Sequence, residues 1–217
     1  MVRLFQILMA RSQRYARRRP KRQEERHYRP KLEPLEDRLV PANHIWSGAV
    51  SSLWSVPGNW STGGSPAGDP TPVLAFTEGT RTSSTDDLPG QTNIIGINFE
   101  GAPGYTIGAT PGSSIRNGDT IALVGPAAET LNLPIALGPG VFLVSQGSTL
   151  NMNGPLLDSP GFTNLTKTGT GVLVLAPQNR NSYSGETIIN QGTLRPGNAN
   201  ALPLGTTVVV NQGGPSI

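Results

Sequence analysis

Few side chains in this sequence can do covalent or acid–base chemistry, and their spacing limits them further. Cysteine is absent, which removes thiolate nucleophiles, thiolate metal sites and disulfide frameworks together. The two histidines are His27 and His44. Two isolated imidazoles without a thiolate make no zinc site, and after His44 no imidazole remains to act as a base. No serine sits in a Gly-x-Ser-x-Gly elbow, and no Gly-x-x-x-x-Gly-Lys phosphate loop occurs. Gly63-Gly64-Ser65-Pro66-Ala67-Gly68-Asp69 has the wrong spacing for a calcium loop. Asp86 and Asp87 are adjacent, and in an extended chain their carboxylates point to opposite faces, so they do not aim at one glycosidic bond. The other acids of the body (Asp69, Glu78, Glu100, Asp119, Glu129, Asp158 and Glu186) are scattered. No catalytic, metal or cofactor residues are assigned, and the chain is read as not an enzyme.

The side chains that could bind are aromatic. Trp46, Trp54 and Trp60 fall within 15 residues. One reading is a platform on which sugar rings stack. The other is a cap whose large rings shield the open first layer of a repeat core, and this is preferred. Asn59-Trp60-Ser61 and Asn164-Leu165-Thr166 match the glycan acceptor pattern and carry little weight here.

The elements that would position these residues are short strands. Glycine and proline number 27 and 20 in 217 residues, and charged residues make up only 14%. That composition excludes a coiled coil and argues against a large helical domain. From His44 onward, brief Val-, Ile-, Leu- and Thr-rich runs alternate with Gly, Pro, Asn and Asp. Strands are expected at 93–99, 105–107, 120–124, 141–144, 149–152, 171–176, 186–190, 193–194 and 206–211. Residues 62–92 read as loop.

A repeat separates a sandwich from a solenoid. Gln146-Gly147, Gln191-Gly192 and Gln212-Gly213 recur at a spacing close to one or two multiples of about 22 residues. That interval suits one rung of a parallel β-helix, with Gly at a corner that needs positive φ. The expected architecture is all-β, a short right-handed parallel β-helix or β-solenoid. It is expected to follow a mostly disordered basic segment.

Charge divides the chain in two. The first 40 residues hold 12 Lys and Arg against 5 Asp and Glu, and the remainder holds 5 against 9. The basic head, centred on Arg17-Arg18-Arg19-Pro20-Lys21-Arg22, is read as a solvated tail, a targeting segment or a phosphate-binding patch, in that order. No nucleic-acid partner is expected. Leu4–Ala10 is too short and too interrupted for an ordinary signal-peptide core, and no window reaches the apolar length of a membrane span.

Two resemblances sharpen this. Leu32-Glu33-Pro34-Leu35-Glu36-Asp37-Arg38-Leu39-Val40-Pro41-Ala42, behind its Arg-rich head, resembles the N-terminal LEPLEDR-type segment of extracellular proteins of planctomycete bacteria. That resemblance implies export and a surface or envelope location.

Leu165-Thr166-Lys167-Thr168-Gly169-Thr170-Gly171-Val172-Leu173-Val174-Leu175 is followed by Asn181-Ser182-Tyr183-Ser184-Gly185-Glu186-Thr187, then Gln191-Gly192-Thr193-Leu194 and Ala201-Leu202. This closely resembles the autotransporter-associated β-strand repeat. The resemblance assigns Lys167, Gly169, Gly171, Asn181, Tyr183, Gly185, Gly192 and Leu194 as structural motif positions. Glu186 and Pro203 depart from the pattern and imply an altered corner.

The expected organisation is an export segment at 1–43, a Trp-rich cap and loop region at 44–92, and solenoid rungs at 93–217 with the repeat at about 163–204. The expected function is a non-enzymatic, exported surface or extracellular protein, structural or adhesive, and a piece of a longer one. Its partner is a surface or matrix ligand, a glycan among the candidates. A carbohydrate-binding module using the Trp cluster and a polysaccharide-degrading β-helix enzyme are the alternatives.

Overall fold

The computed structural model describes residues 43–62, 64–138, 140–161 and 163–211. The basic head, the LEPLEDR-type junction and the third Gln-Gly pair lie outside the described residues.

The chain is a parallel β-solenoid of about six turns, as the repeat spacing implied. After an entry hairpin of β1 (Asn43–Trp46) and β2 (Trp60–Thr62), the first full rung comprises β3 (Val73–Phe76), β4 (Ser83–Asp86) and β5 (Gln91–Ile94). The second is β6 (Gly96–Glu100), β7 (Thr106–Ala109) and β8 (Ser114–Asn117). The third is β9 (Thr120–Val124), β10 (Ala128–Asn132) and β11 (Ile135–Leu137), and the fourth is β12 (Val141–Val144), β13 (Thr149–Met152) and β14 (Leu156–Leu157). Later turns carry β15 (Leu165–Thr168) with β16 (Val172–Leu175), β17 (Thr187–Ile189) with β18 (Thr193–Pro196), and finally β19 (Val208–Val210).

Among the described residues these strands stack into three sheets. Sheet A runs β19-β17-β15-β12-β9-β6-β3-β1-β2, sheet B runs β18-β16-β13-β10-β7-β4, and sheet C runs β14-β11-β8-β5. Every pairing is parallel except β1 with β2. Partners such as Val73 and Gly96, Thr120 and Val141, and Val141 and Thr166 fix the rungs at about 21 to 25 residues.

The core follows from two-residue alternation. One inward column of sheet A reads Trp46, Phe76, Phe99, Leu123, Val144 in register. Its neighbour reads His44, Leu74, Ile97, Ile121, Phe142, Lys167, Ile189. Sheet B contributes Ile107, Leu131, Met152 and Leu175 to the core. Each fully buried Leu, Ile or Phe contributes about 1.5–3 kcal/mol, so the stack holds without cysteine bridges.

Three strand expectations are corrected. Residues 62–92 are not loop throughout, since β3, β4 and β5 enter the same sheets as the later rungs. Residues 93–99 are not one strand, because the chain turns a corner at Ile95, between β5 and β6. Strands β1, β2, β3, β4, β8, β10, β11, β14 and β15 lie outside the expected runs. Most are only two to four residues long, and their outward positions are largely Ser, Thr, Asn or Arg.

Candidate functional site

The residues that sequence singled out fall in two places, the entry cap and the turn carrying the repeat.

At the entry, Trp46, Trp54 and Trp60 are buried, at 1%, 0% and 5% exposure. They meet edge to face, Trp46 with Trp60 at 5.1 Å and Trp54 with Trp60 at 6.0 Å. All three pack on Phe76, which stacks on Phe99 at 5.3 Å. Their N–H groups are also used: Trp46 donates to Arg81 O, Trp54 to Ser84 Oγ and Trp60 to Trp54 O. A sugar platform needs an open ring face, and burial leaves these rings none. The stacking reading is therefore corrected, and the cluster lies over the first rung as an aromatic cap.

Asn59 organises the loop above it. Its Oδ1 accepts from the Val50 and Ser51 amides, and its Nδ2 donates to Ser51 Oγ and Leu53 O. Asn59 is 0% exposed, so the folded state withholds this acceptor-pattern nitrogen. His44 is also enclosed, with Nε2 at 2.9 Å from Asp69 Oδ2 and Nδ1 at 2.8 Å from Gly64 O. Burial pulls the Asp69 carboxyl upward, but its bonds to His44 and the Thr71 amide outweigh this and hold it below its ordinary value.

At the repeat, Lys167 points inward between Phe142 and Ile189 and is fully buried. Its Nζ donates to the carbonyls of Thr168 at 2.6 Å, Gly169 at 2.6 Å and Gln191 at 3.3 Å. All three ammonium donors are thereby used. Burial pushes its pKa down to about 8.

The glycines beside it are sterically required. Gly169 and Gly192 have φ of +73° and +71°, a region that costs L-residues strain. A Cβ on Gly169 would strike Val144 O, and one on Gly192 would strike the carbonyls of Gly169 and Gly171. Gly171 and Gly185 are closed off in the same way, by Ser145 O and Thr163 O. Leu194 packs half-buried against the core.

Asn181 substitutes for a missing strand of sheet C. Its Oδ1 accepts from Leu156 N at 2.7 Å and its Nδ2 donates to Ala201 O at 2.7 Å. One side chain thus bridges the backbones of the turns on either side, as a strand ladder would. Tyr183, 1% exposed, places its hydroxyl 2.6 Å from Thr187 Oγ1. Glu186 lies at the rung corner, where its amide bonds to Asn164 Oδ1.

Two acids that the sequence reading set aside, Asp86 and Glu129, are buried. Asp86 is 0% exposed, its Oδ1 accepts from Leu88 N, and its Oδ2 has no partner among the described residues. Burial raises its pKa to about 6. Glu129 is equally buried, with Oε2 bonded to Tyr105 N and Oε1 unpartnered among the described residues. Burial raises its pKa too. The signal was present in Ala128-Glu129-Thr130-Leu131, where Glu129 shares the phase of inward Leu131. Asp86 and Glu129 lie in different inward columns, and among the described residues no group of three metal-ligating side chains forms.

Residues 165–195 match the Passenger-associated-transport-repeat family. The chain is 31% identical over 180 residues, 82% of its length, to a protein of Brucella suis biovar 1 (strain 1330) named Adhesin BmaC autotransporter. It spans about 5% of that relative's length. No solved structure matches the chain. The buried lysine, Gly169, Gly171, Gly185, Gly192 and the bridging Asn181 all lie within the stretch that matches this repeat, and that stretch is one part of a parallel β-solenoid.

Proposed function

We propose that this chain is an exported, non-enzymatic stretch of a surface adhesin, in which the solenoid is a stiff stalk that presents its outer faces to a ligand. The observation that carries this reading is the coincidence of fold and repeat. A transport-associated repeat forms the turn from β15 to β18, and the rungs before it continue the same sheets. The named relative, an autotransporter adhesin, supports it over most of this chain's length.

A solenoid suits this role physically. Each rung contacts only its neighbours, so length adds without a new core, and each added rung extends the outer faces. Export is the companion proposal. The Arg-rich head with its LEPLEDR-type junction is proposed to direct it, and a planctomycete-type surface location is its finer form.

Fractionation of producing cells tests export, with one antibody against 1–40 and one against 163–204. The reading expects the repeat region in the envelope or medium. Intact chain confined to the cytoplasm would overturn it.

A further inference from the structure

We propose that the corner following sheet B binds a strand of neutral polysaccharide, laid along the solenoid so that successive rungs meet successive sugars. This rests on the adhesive reading above and names the ligand class. The corner holds a groove of about 470 Å³, lined among others by Asn132, Pro134, Asn153, Pro155, Gln178 and Asn179. That volume lies within the range of small-molecule sites.

The chemistry of the lining selects the ligand. Asn132 and Asn153 follow register partners Leu131 and Met152 on adjacent rungs, so their amides are stacked. Asn153 Nδ2 donates to Asn132 Oδ1 at 3.0 Å. This bond orients both groups and leaves Asn132 Nδ2 and Asn153 Oδ1 free among the described residues. The side-chain amides of Gln178 and Asn179 make no hydrogen bond among the described residues either, and all four residues are exposed. A primary amide donates and accepts in one plane, which matches adjacent sugar hydroxyls. Pro134 and Pro155, half-buried, supply apolar plates for the C–H faces of a sugar ring.

Other ligands fit less well. No charged side chain lines the groove, and neighbouring Arg180 is engaged with Leu202 O at 3.1 Å. Phosphate and acidic glycans therefore find no cation in the lining of the groove itself. An extended peptide would need an unpaired sheet edge, whereas the Asn132 and Asn153 turns sit on rungs already paired on both sides. Rungs stack at about 4.8 Å, close to the length of one sugar unit in an extended chain.

The test uses the purified full chain titrated with cellohexaose, xylohexaose, mannohexaose and laminarihexaose, and with a galacturonate hexamer as the charged comparator. At least one neutral hexaose should bind, with little change between low and high salt. The N132A/N153A/Q178A variant should weaken it at least about tenfold, in line with lost polar contacts, without changing the melting temperature appreciably. Should that variant fold poorly, Q178A alone, at an exposed position, should still weaken binding. Absence of binding to every neutral hexaose, preference for the galacturonate hexamer, or binding unchanged in the folded variants would overturn the proposal. Beads coated with the chain separate the two readings. Adhesion that no hexaose competes away sinks the groove and keeps the adhesin, whereas hexaose binding without any bead adhesion sinks the adhesin.

Discussion

The Lys167 ammonium lies 3.3 Å from the Gln191 carbonyl, so a side chain from one turn of the solenoid closes the corner of the next. The same nitrogen binds the carbonyls of Thr168 and Gly169 in its own turn. One buried cation thereby couples two rungs at a corner flanked by the backbone bonds Asn190 N to Lys167 O and Thr193 N to Gly171 O.

That coupling predicts the outcome of Lys167→Met. Removing the charge relieves a burial cost of about 3 kcal/mol, since burial brings its pKa from 10.5 down to about 8. Three stranded carbonyls, at about 1–3 kcal/mol apiece, outweigh this. We expect a net loss of about 1–3 kcal/mol at pH 7 by urea denaturation. The pH profile gives a second reading. With the folded value near 8 and the ordinary value at 10.5, the unfolded chain binds more protons in between, so this residue makes stability rise with pH across that window. The rise should vanish in Lys167→Met.

Asp86 carries the opposite sign. Its folded value near 6 exceeds the ordinary 3.8, so its contribution is full below about pH 4 and is lost as pH rises through 6. Asp86→Asn keeps the acceptor for Leu88 N and removes the buried charge. The variant should gain about 1–3 kcal/mol at pH 7 and lose the slope between pH 4 and 6. Equal stability of both proteins at pH 7 and pH 4 would refute this.

Glycine positions separate two costs. Gly112 has φ of +91° with nothing within 4 Å of an added Cβ, whereas Gly192 combines positive φ with a blocked Cβ. Gly112→Ala should cost only the backbone strain, about 1–2 kcal/mol. Gly192→Ala should cost several times more, because the Gly169 and Gly171 carbonyls must move. Thermal melts of the two variants side by side check the ordering.

Much of the fold was legible because inward columns and corner glycines repeat. Gly147 and Gly192, both Gln-Gly pairs, adopt positive φ and bracket the intervening Gly169. The short polar strands were not legible. Ser83–Asp86 offers no apolar residue at all, and its inward Ser84 and Asp86 are buried by neighbours the local sequence does not contain. Ala128–Asn132 hid Glu129 for the same reason, since alternation implied a buried acid that propensity argues against. The tryptophans were visible, but their burial was not. Trp54 and Trp60 are enclosed by Phe76 and the Asn59 loop, contacts that spacing alone does not reveal.

The Asn181 bridge is a fourth point of test. Asn181→Ala removes hydrogen bonds to Leu156 N and Ala201 O at a 2% exposed site. The loss should reach about 2–4 kcal/mol, two buried partners each being left unpaired. Hydrogen exchange should locate the loosening at the two turns that hold Leu156 and Ala201, on either side of Asn181, with the aromatic cap unaffected.

The central claim, that this solenoid is an adhesive surface, is tested most directly by bead attachment. Beads carrying the purified chain are compared with albumin beads of equal coating density on cell layers and polysaccharide-coated glass. The account predicts severalfold greater attachment that excess soluble chain abolishes. Attachment equal to that of albumin beads on every surface would contradict it.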